Sequence, residues 1–159
     1  MIVISDTSPL CYLLLIDLID LLPELYDRVI IPETIRDELA ASKSPSIVQA
    51  WIAQPPSWLE IRAITTATNL FADELDPGER DAIALAEELQ ADLILLDDRA
   101  ARNIASKRGL AIVGVLGILV KAGQQGKIDF PSAIARLKQT SFRASASLIQ
   151  ALLDQFTQT

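Results

Sequence analysis

Residues 75–102, "LDPGERDAIALAEELQADLILLDDRAAR", carry the clearest structural pattern in the chain. Asp76-Pro77 is typical of a helix start, and the apolar positions after it predict a helix over 76–89. Residues 92–98 are a short apolar run that ends on two acids, which predicts a buried strand. A second helix is predicted over 99–109, where a glycine ends it. Helix, strand and helix in direct succession indicate a unit of a parallel sheet.

The same signals recur along the rest of the chain. Three more buried strands are predicted at 2–5, 28–32 and 110–114, and an edge strand at 58–64. Helices are predicted from Ser8-Pro9, with the serine as N-cap, through Tyr26, with a bend near Asp17. Further helices are predicted from Pro32, over 45–53 and over most of 115–156. We therefore expect an α/β fold in three layers, with a central, mostly parallel sheet of four to five strands flanked by helices. A single domain is expected over 1–159, with a helical C-terminal extension at about 131–156.

The composition excludes several kinds of chemistry. The chain has no histidine, which removes Ser-His-Asp hydrolases and nearly every catalytic zinc or copper site. Its one cysteine, Cys11, excludes an internal disulfide and agrees with a reducing, cytoplasmic location. No signal peptide and no membrane-spanning segment is expected, because the longest apolar run, 9–16, is too short. Carboxylates, hydroxyls, basic side chains or an oxygen-bound metal ion must supply any chemistry.

The charges are unevenly distributed along the sequence. The net charge is −7, yet the segment from Arg99 to Arg143 holds nine basic residues and one acid. That asymmetry favours an anionic partner for this segment, although solvated basic helix faces explain it equally well.

Acidic residues follow two of the predicted strands directly. Asp6 ends the first strand, and Asp97 and Asp98 end the strand at 92–98. In open parallel sheets, ligands bind beyond the carboxyl ends of the strands, where the strand order reverses. Glu38 and Glu79 can reach the same place from helices. Carboxylates without histidine suit Mg²⁺ or Mn²⁺, and such an ion offsets their repulsion and supplies Lewis acidity for phosphodiester hydrolysis.

Each acid also has a simpler structural explanation. Asp6 can form a side-chain turn before the first helix, and Glu79 fits a capping box with the acid three residues earlier. One of Asp97 and Asp98 can cap the helix that starts near residue 99, and Glu38 can simply be solvated. Taken together, the set favours a metal site.

Four segments resemble one protein family. They are "VISDTSPL" (3–10), "IPETIRDEL" (31–39), the stretch at 75–102 and "GLAIVGVLGILVKAGQQGKI" (109–128). The chain resembles the PIN-domain ribonucleases over about residues 2–153, and within them a branch close to the VapC-type toxins. The resemblance implies a PIN-like fold and a Mg²⁺- or Mn²⁺-dependent endoribonuclease that cuts single-stranded RNA.

The resemblance also implies roles for individual residues. Asp6, Glu38, Glu79 and Asp97 would be the catalytic acids, and the metal ligands would be Asp6, Glu79, Asp97 and Asp98, with the choice between the last two open. The family often has an asparagine two places after the first acid, where this chain has Ser8. Thr7 and Ser8 would orient a water molecule, although Ser8 alternatively caps the helix.

Partners follow from the same resemblance. Arg99, Arg102 and Lys107 would hold the backbone of a single-stranded or structured RNA, chiefly through charge. A small antitoxin protein would cover the acidic site, and self-association through the early helices would give a homodimer. The alternative is a PIN-like module that binds RNA or a partner protein without cutting.

Overall fold

The structure, a computed structural model, describes residues 1–65 and 73–157. The described strands are β1 (Val3–Ser5), β2 (Val29–Pro32), β3 (Leu59–Arg62), β4 (Leu93–Leu95) and β5 (Ile112–Val113). The helices before β4 are α1 (Thr7–Leu15), α2 (Leu21–Tyr26), α3 (Glu33–Ala40), α4 (Ser46–Ala53) and α5 (Pro77–Glu88). Those after it are α6 (Arg99–Lys107), α7 (Val115–Gln124), α8 (Phe130–Leu137) and α9 (Ala146–Thr157).

The strands form one sheet in the order β3-β2-β1-β4-β5, and every described pairing is parallel. The chain moves from β1 outward to β2 and β3, then crosses to β4 on the other side of β1. Strand order therefore reverses between β1 and β4, where Ser5 pairs with Leu95. This is the position at which open parallel sheets bind ligands. The α/β prediction is confirmed, and β3 lies at the predicted edge.

Side chains that alternate along the strands build two cores. Val29 and Ile31 pack with α1, α7 and α8 on one face, whereas Ile30 packs with α5 and α6 on the other. Each face thus carries a helical layer, as the continuous apolar strands predict. Each fully buried side chain of this size contributes about 1.5–3 kcal/mol relative to exposure.

The bend predicted near Asp17 is a break between two helices. The first helix ends at Leu15, and a second helix starts at Leu21, with Asp17 at a φ of 60° in the intervening turn. The prediction that Ser8 is the N-cap is wrong, because Asp6 holds that position and Ser8 lies in the first turn. The Asp6 N–H still bonds to Leu95 of β4, so the chain leaves the sheet and enters the helix without a linker.

Helices also occupy the end of the chain, where the sequence predicts a C-terminal extension. α8 and α9 pack on the same core as α1 and α7. None of the helices in residues 1–65 and 73–157 combines the length and the apolar composition that crossing a membrane requires.

Candidate active site

Asp6 lies at the carboxyl end of β1, next to β4. Its backbone is extended, its N–H donates to the carbonyl of Leu95 at 2.9 Å, and α1 starts at the next residue. The residue is only 4% exposed, and its side chain forms no capping bond to the helix. A carboxylate is therefore buried at the switch point without the capping role that would explain it.

The surroundings of Asp6 are acidic. Burial raises the pKa of Asp6 to about 8, against the lowering effect of a hydrogen bond from the Thr7 N–H. The negative charges that raise it further are those of Glu79, Asp76 and Glu38. The structure thus brings three of the predicted site residues together, along with Asp76.

Glu79 has two roles in the structure. The capping box is formed: Asp76 Oδ1 accepts from the Glu79 N–H at 2.8 Å, and Glu79 Oε1 accepts from the Asp76 N–H at 3.1 Å. Glu79 is nevertheless only 8% exposed. Burial raises its pKa to about 7, and the charges of Asp76, Asp98 and Glu38 also raise it. Capping engages one carboxylate oxygen, so it does not exclude a role in the acidic cluster.

Glu38 is held between α1 and α5. Its Oε2 accepts from the Thr7 hydroxyl, and the N–H of Gly78 donates to the same carboxylate. Burial raises the pKa of Glu38, although both hydrogen bonds lower it. A Cβ at Gly78 would lie 2.7 Å from Glu38 Oε2, so the glycine leaves the space that this carboxylate fills.

Asp81 supports the same region from α5. Its carboxylate accepts a hydrogen bond from the hydroxyl of Thr34, and this bond joins α5 to the start of α3. Its charge also raises the pKa of Glu38, after burial and the charge of Asp76. The Asp81 side chain is half-buried beside the cluster and is hydrogen-bonded to α3.

Asp97 and Asp98 point to different sides. Asp97 Oδ1 accepts from the Val115 N–H of α7 at 3.0 Å, and its Oδ2 is buried without a hydrogen-bond partner in the described residues. Burial raises the pKa of Asp97, whereas the Val115 bond and the charge of Arg102 lower it. Asp98 Oδ2 caps α6 through the Ala101 N–H at 3.0 Å.

The alternation of β4 explains this division. Leu95 packs in the α7 core and Leu96 in the α5 core, so successive residues face opposite sides. Asp97 accordingly meets α7, whereas the charge of Asp98 acts on Glu79 of α5. The prediction that one of the doublet caps the helix after it is confirmed for Asp98.

The predicted RNA-binding residues are exposed on α6. Arg102 lies beside Asp97, since its charge acts on that carboxylate. Arg99 starts the helix, and Lys107 ends it about 12 Å further along the axis, at 1.5 Å per residue. Lys107 is therefore the member of this set that lies far from the acidic cluster.

Sequence reasoning missed three features of the site. Asp76 joins the cluster electrostatically, although its sequence signal was that of a helix cap. Gly78 admits Glu38, and Gly114 admits Asp97, whose Oδ1 lies 2.6 Å from where a Cβ would stand. The glycine in "DPGE" was the available signal, because glycine disfavours a helix and the first turn does not itself require one.

The donor chemistry fits a hard divalent cation. Every clustered side chain offers carboxylate oxygens. Burial raises the pKa of Asp6 and of Glu79, so their charged forms are disfavoured unless a cation offsets them. Within the described residues, no three acidic or cysteine side chains yet stand close enough to hold a metal ion. The carboxylates would need to turn inward to close a ligand set.

The family comparison agrees with this geometry. A family model described as a PIN domain, DUF3368, matches residues 2–158. No curated protein and no solved structure matches the chain significantly. PIN domains are generally nucleases that use divalent metal ions and act on RNA. With a match over nearly its whole length and an all-parallel sheet whose switch point carries clustered acids, the chain belongs to the PIN-domain family.

Proposed function

We propose that the chain is a Mg²⁺- or Mn²⁺-dependent endoribonuclease that cuts single-stranded RNA. One observation carries the proposal: Asp6, Glu38 and Glu79 lie near enough at the switch point for their charges to act on one another. Carboxylates buried together are costly without a cation, and the capping box of Glu79 does not account for the neighbouring Asp6 and Glu38.

The proposed ligands are Asp6, Glu79 and Asp98. Each acid of the doublet caps a helix with one oxygen, so capping does not separate them. Asp98 is preferred to Asp97 because its charge acts on Glu79. When bound, the cation would supply Lewis acidity at the scissile phosphate. We assign proton transfer from the attacking water to the Glu38 carboxylate, which the Thr7 hydroxyl and the Gly78 N–H hold in place.

The remaining residues would position these groups. Thr7 and Gly78 fix the Glu38 carboxylate by hydrogen bonds, so it needs no reordering when substrate arrives. Arg99 and Arg102 would hold the RNA phosphates next to the acids, with Lys107 extending the contact. Binding should then weaken as salt concentration rises.

The biological setting is proposed from the VapC-like motifs at 3–10 and 75–102. The chain would be a single-domain cytoplasmic toxin, paired with a small antitoxin and forming a homodimer. The competing function is a PIN-like module that binds RNA or a partner without cutting. It is favoured by Ser8 in place of the family's frequent asparagine and by the open arrangement of the acids in the described residues.

The decisive experiment is cleavage of labelled single-stranded RNAs by purified protein in Mn²⁺ or Mg²⁺, with EDTA and Asp6→Asn as negative controls. Asp37→Asn is the matched control, because Asp37 is an exposed acid on the same helix as Glu38. We expect cutting that EDTA and Asp6→Asn abolish and Asp37→Asn leaves intact. Failure of the folded, metal-supplied protein to cut any RNA would favour the binding module.

A further inference from the structure

A cavity of about 330 Å³ lies between α8 and α9, outside the acidic cluster. Its apolar lining comes from Leu137, Phe142 and Ile149, and its polar lining includes Lys138 and Arg143. The volume is within the range of small-molecule sites, roughly 300–1,000 Å³. The site therefore offers an apolar interior with cations beside it.

The charge around this cavity points to an anionic ligand. No acid is among its lining residues in the described chain, and Lys138 and Arg143 are both exposed. Gln150 also lines it, and its amide nitrogen donates to Asp154 one turn further along α9, which leaves its carbonyl oxygen as an acceptor. A ligand with a phosphate, a flat apolar body and a hydrogen-bond donor would satisfy all three kinds of group.

The cavity is linked to the acidic cluster through one helix. The hydroxyl oxygen of Tyr12 in α1 lies 3.0 Å from the hydroxyl oxygen of Ser141. The Tyr12 and Phe142 rings pack edge to face, with their centroids 5.2 Å apart. Thr7 starts the same helix and holds Glu38. Tyr12 lies five residues after Thr7 in this helix, or about 8 Å along the axis.

We propose that this cavity receives one nucleotide of a single-stranded RNA, with the base against Phe142 and the phosphate beside Lys138 and Arg143. The inference rests on the proposed function, since RNA is the polymer that the acidic cluster would cut. Base–aromatic stacking and charge together would make the cavity a second point of attachment for the strand, away from the scissile bond.

The test measures RNA binding without cleavage. Labelled single-stranded RNA decamers are titrated with protein in EDTA, and fluorescence anisotropy reports the Kd. The double variant Lys138→Ala/Arg143→Ala should raise Kd at least about tenfold and reduce the salt slope by about 0.7, the value for one lost phosphate contact on a single strand. The matched control is Arg28→Ala/Lys43→Ala, which removes two exposed cations elsewhere and should change Kd less than about twofold.

A second variant separates base stacking from charge. Phe142→Leu keeps an apolar side chain and should raise Kd at least about fivefold with an unchanged salt slope. The proposal would be overturned if the double variant weakened RNA and polyphosphate binding equally while Phe142→Leu left Kd unchanged. The two cations would then bind any polyanion, without recognition of a base. Wild-type Kd values in both variants would overturn the proposal as well. Unfolding temperatures confirm that each variant is folded.

The outcomes also separate this inference from the proposed nuclease. If the wild type cuts RNA and the double variant changes neither Kd nor KM, the nuclease stands and the nucleotide site falls. If the wild type never cuts but binds RNA through these residues, the site stands and the nuclease falls. A raised KM with unchanged kcat in the double variant would support both.

Discussion

The carboxylate of Glu38 fills the space beside Gly78 that a side chain at that position would occupy. Oε2 lies 2.7 Å from the position of an ideal Cβ, closer than real contacts allow. Gly78 stands in the first turn of α5, and Glu38 comes from α3, so this contact seats one helix against the other. The glycine matters here for close approach, since it is not among the residues with a positive φ.

Gly78→Ala is expected to displace Glu38. Overpacking of this kind lowers the free energy of unfolding by about 1–3 kcal/mol, measured by denaturant titration. The rise in unfolding temperature that Mn²⁺ produces should shrink as well. Adding Glu38→Asp, which shortens the acid by one methylene, should recover most of the lost stability.

Gly123→Ala is the matched control. Its Cβ would lie 2.7 Å from the Phe156 ring, far from the acids, so it should lower stability without changing the Mn²⁺ response. Full stability and an unchanged Mn²⁺ response in Gly78→Ala would contradict the contact.

Asp6→Asn tests the buried charge through pH. The folded pKa of about 8 exceeds the ordinary 3.8, so the folded state binds the proton more tightly. The stability contributed by protonated Asp6 is complete below pH 3.8 and is lost as pH rises through about 8. In EDTA, Asp6→Asn should therefore unfold at least about 5 °C above the wild type at pH 8, with a smaller difference at pH 5.

Mn²⁺ should reverse that order at pH 8. The cation pairs with the charged form of Asp6, so only the wild type gains stability from it. Thermal melts at both pH values, with and without metal, provide the measurement. If the difference in unfolding temperature between Asp6→Asn and the wild type in EDTA were the same at pH 8 and pH 5, burial would not be disfavouring the charged form of Asp6.

Glu79→Gln separates capping from metal binding. Glutamine keeps an oxygen for the Asp76 N–H, so the helix start should survive and the unfolding temperature should fall little. The Mn²⁺ response should nevertheless be lost with the charge. Glu79→Ala removes both functions and should cost an additional 0.5–2 kcal/mol, about the value of a cap. A full Mn²⁺ response in Glu79→Gln would leave Glu79 as a cap alone.

Asparagine at 97 and at 98 tests the division of the acid doublet. Each amide oxygen can still accept the backbone N–H that caps its helix, so both variants should fold. Asp98→Asn should weaken Mn²⁺ binding at least tenfold, an effect of about 1.4 kcal/mol, and Asp97→Asn should weaken it less. Calorimetric titration with Mn²⁺ gives the two affinities. The opposite ranking would assign the ligand to Asp97.

The fold was predictable because its signals are local. Short apolar strands that alternate with capped helices, such as 76–89, report a parallel sheet by themselves, and Asp6 falls at a strand end that the sequence marks clearly. The N-cap at Asp6 escaped prediction, because Ser8-Pro9 is the stronger local pattern and the bond to Leu95 comes from a distant strand.

The site was less predictable because its contacts are long-range. The residues near Gly78 in sequence do not predict its contact with a carboxylate from α3. Those near Thr7 do not predict the hydrogen bond from its hydroxyl to Glu38. The separate directions of Asp97 and Asp98 depend on which core each neighbouring leucine enters. Sequence pattern supplies the candidates, whereas side-chain packing between elements assigns their roles.

The pairing of Ser5 with Leu95 also sets when the acidic cluster can exist. During synthesis Asp6 and Glu38 emerge first, but the helix that carries Glu79 and the strand that precedes Asp98 follow much later. The cluster therefore cannot be complete before Asp98 has been synthesised and β4 has paired with β1. For a protein with the proposed activity, a growing chain that has not reached this point would lack part of the site that cuts RNA.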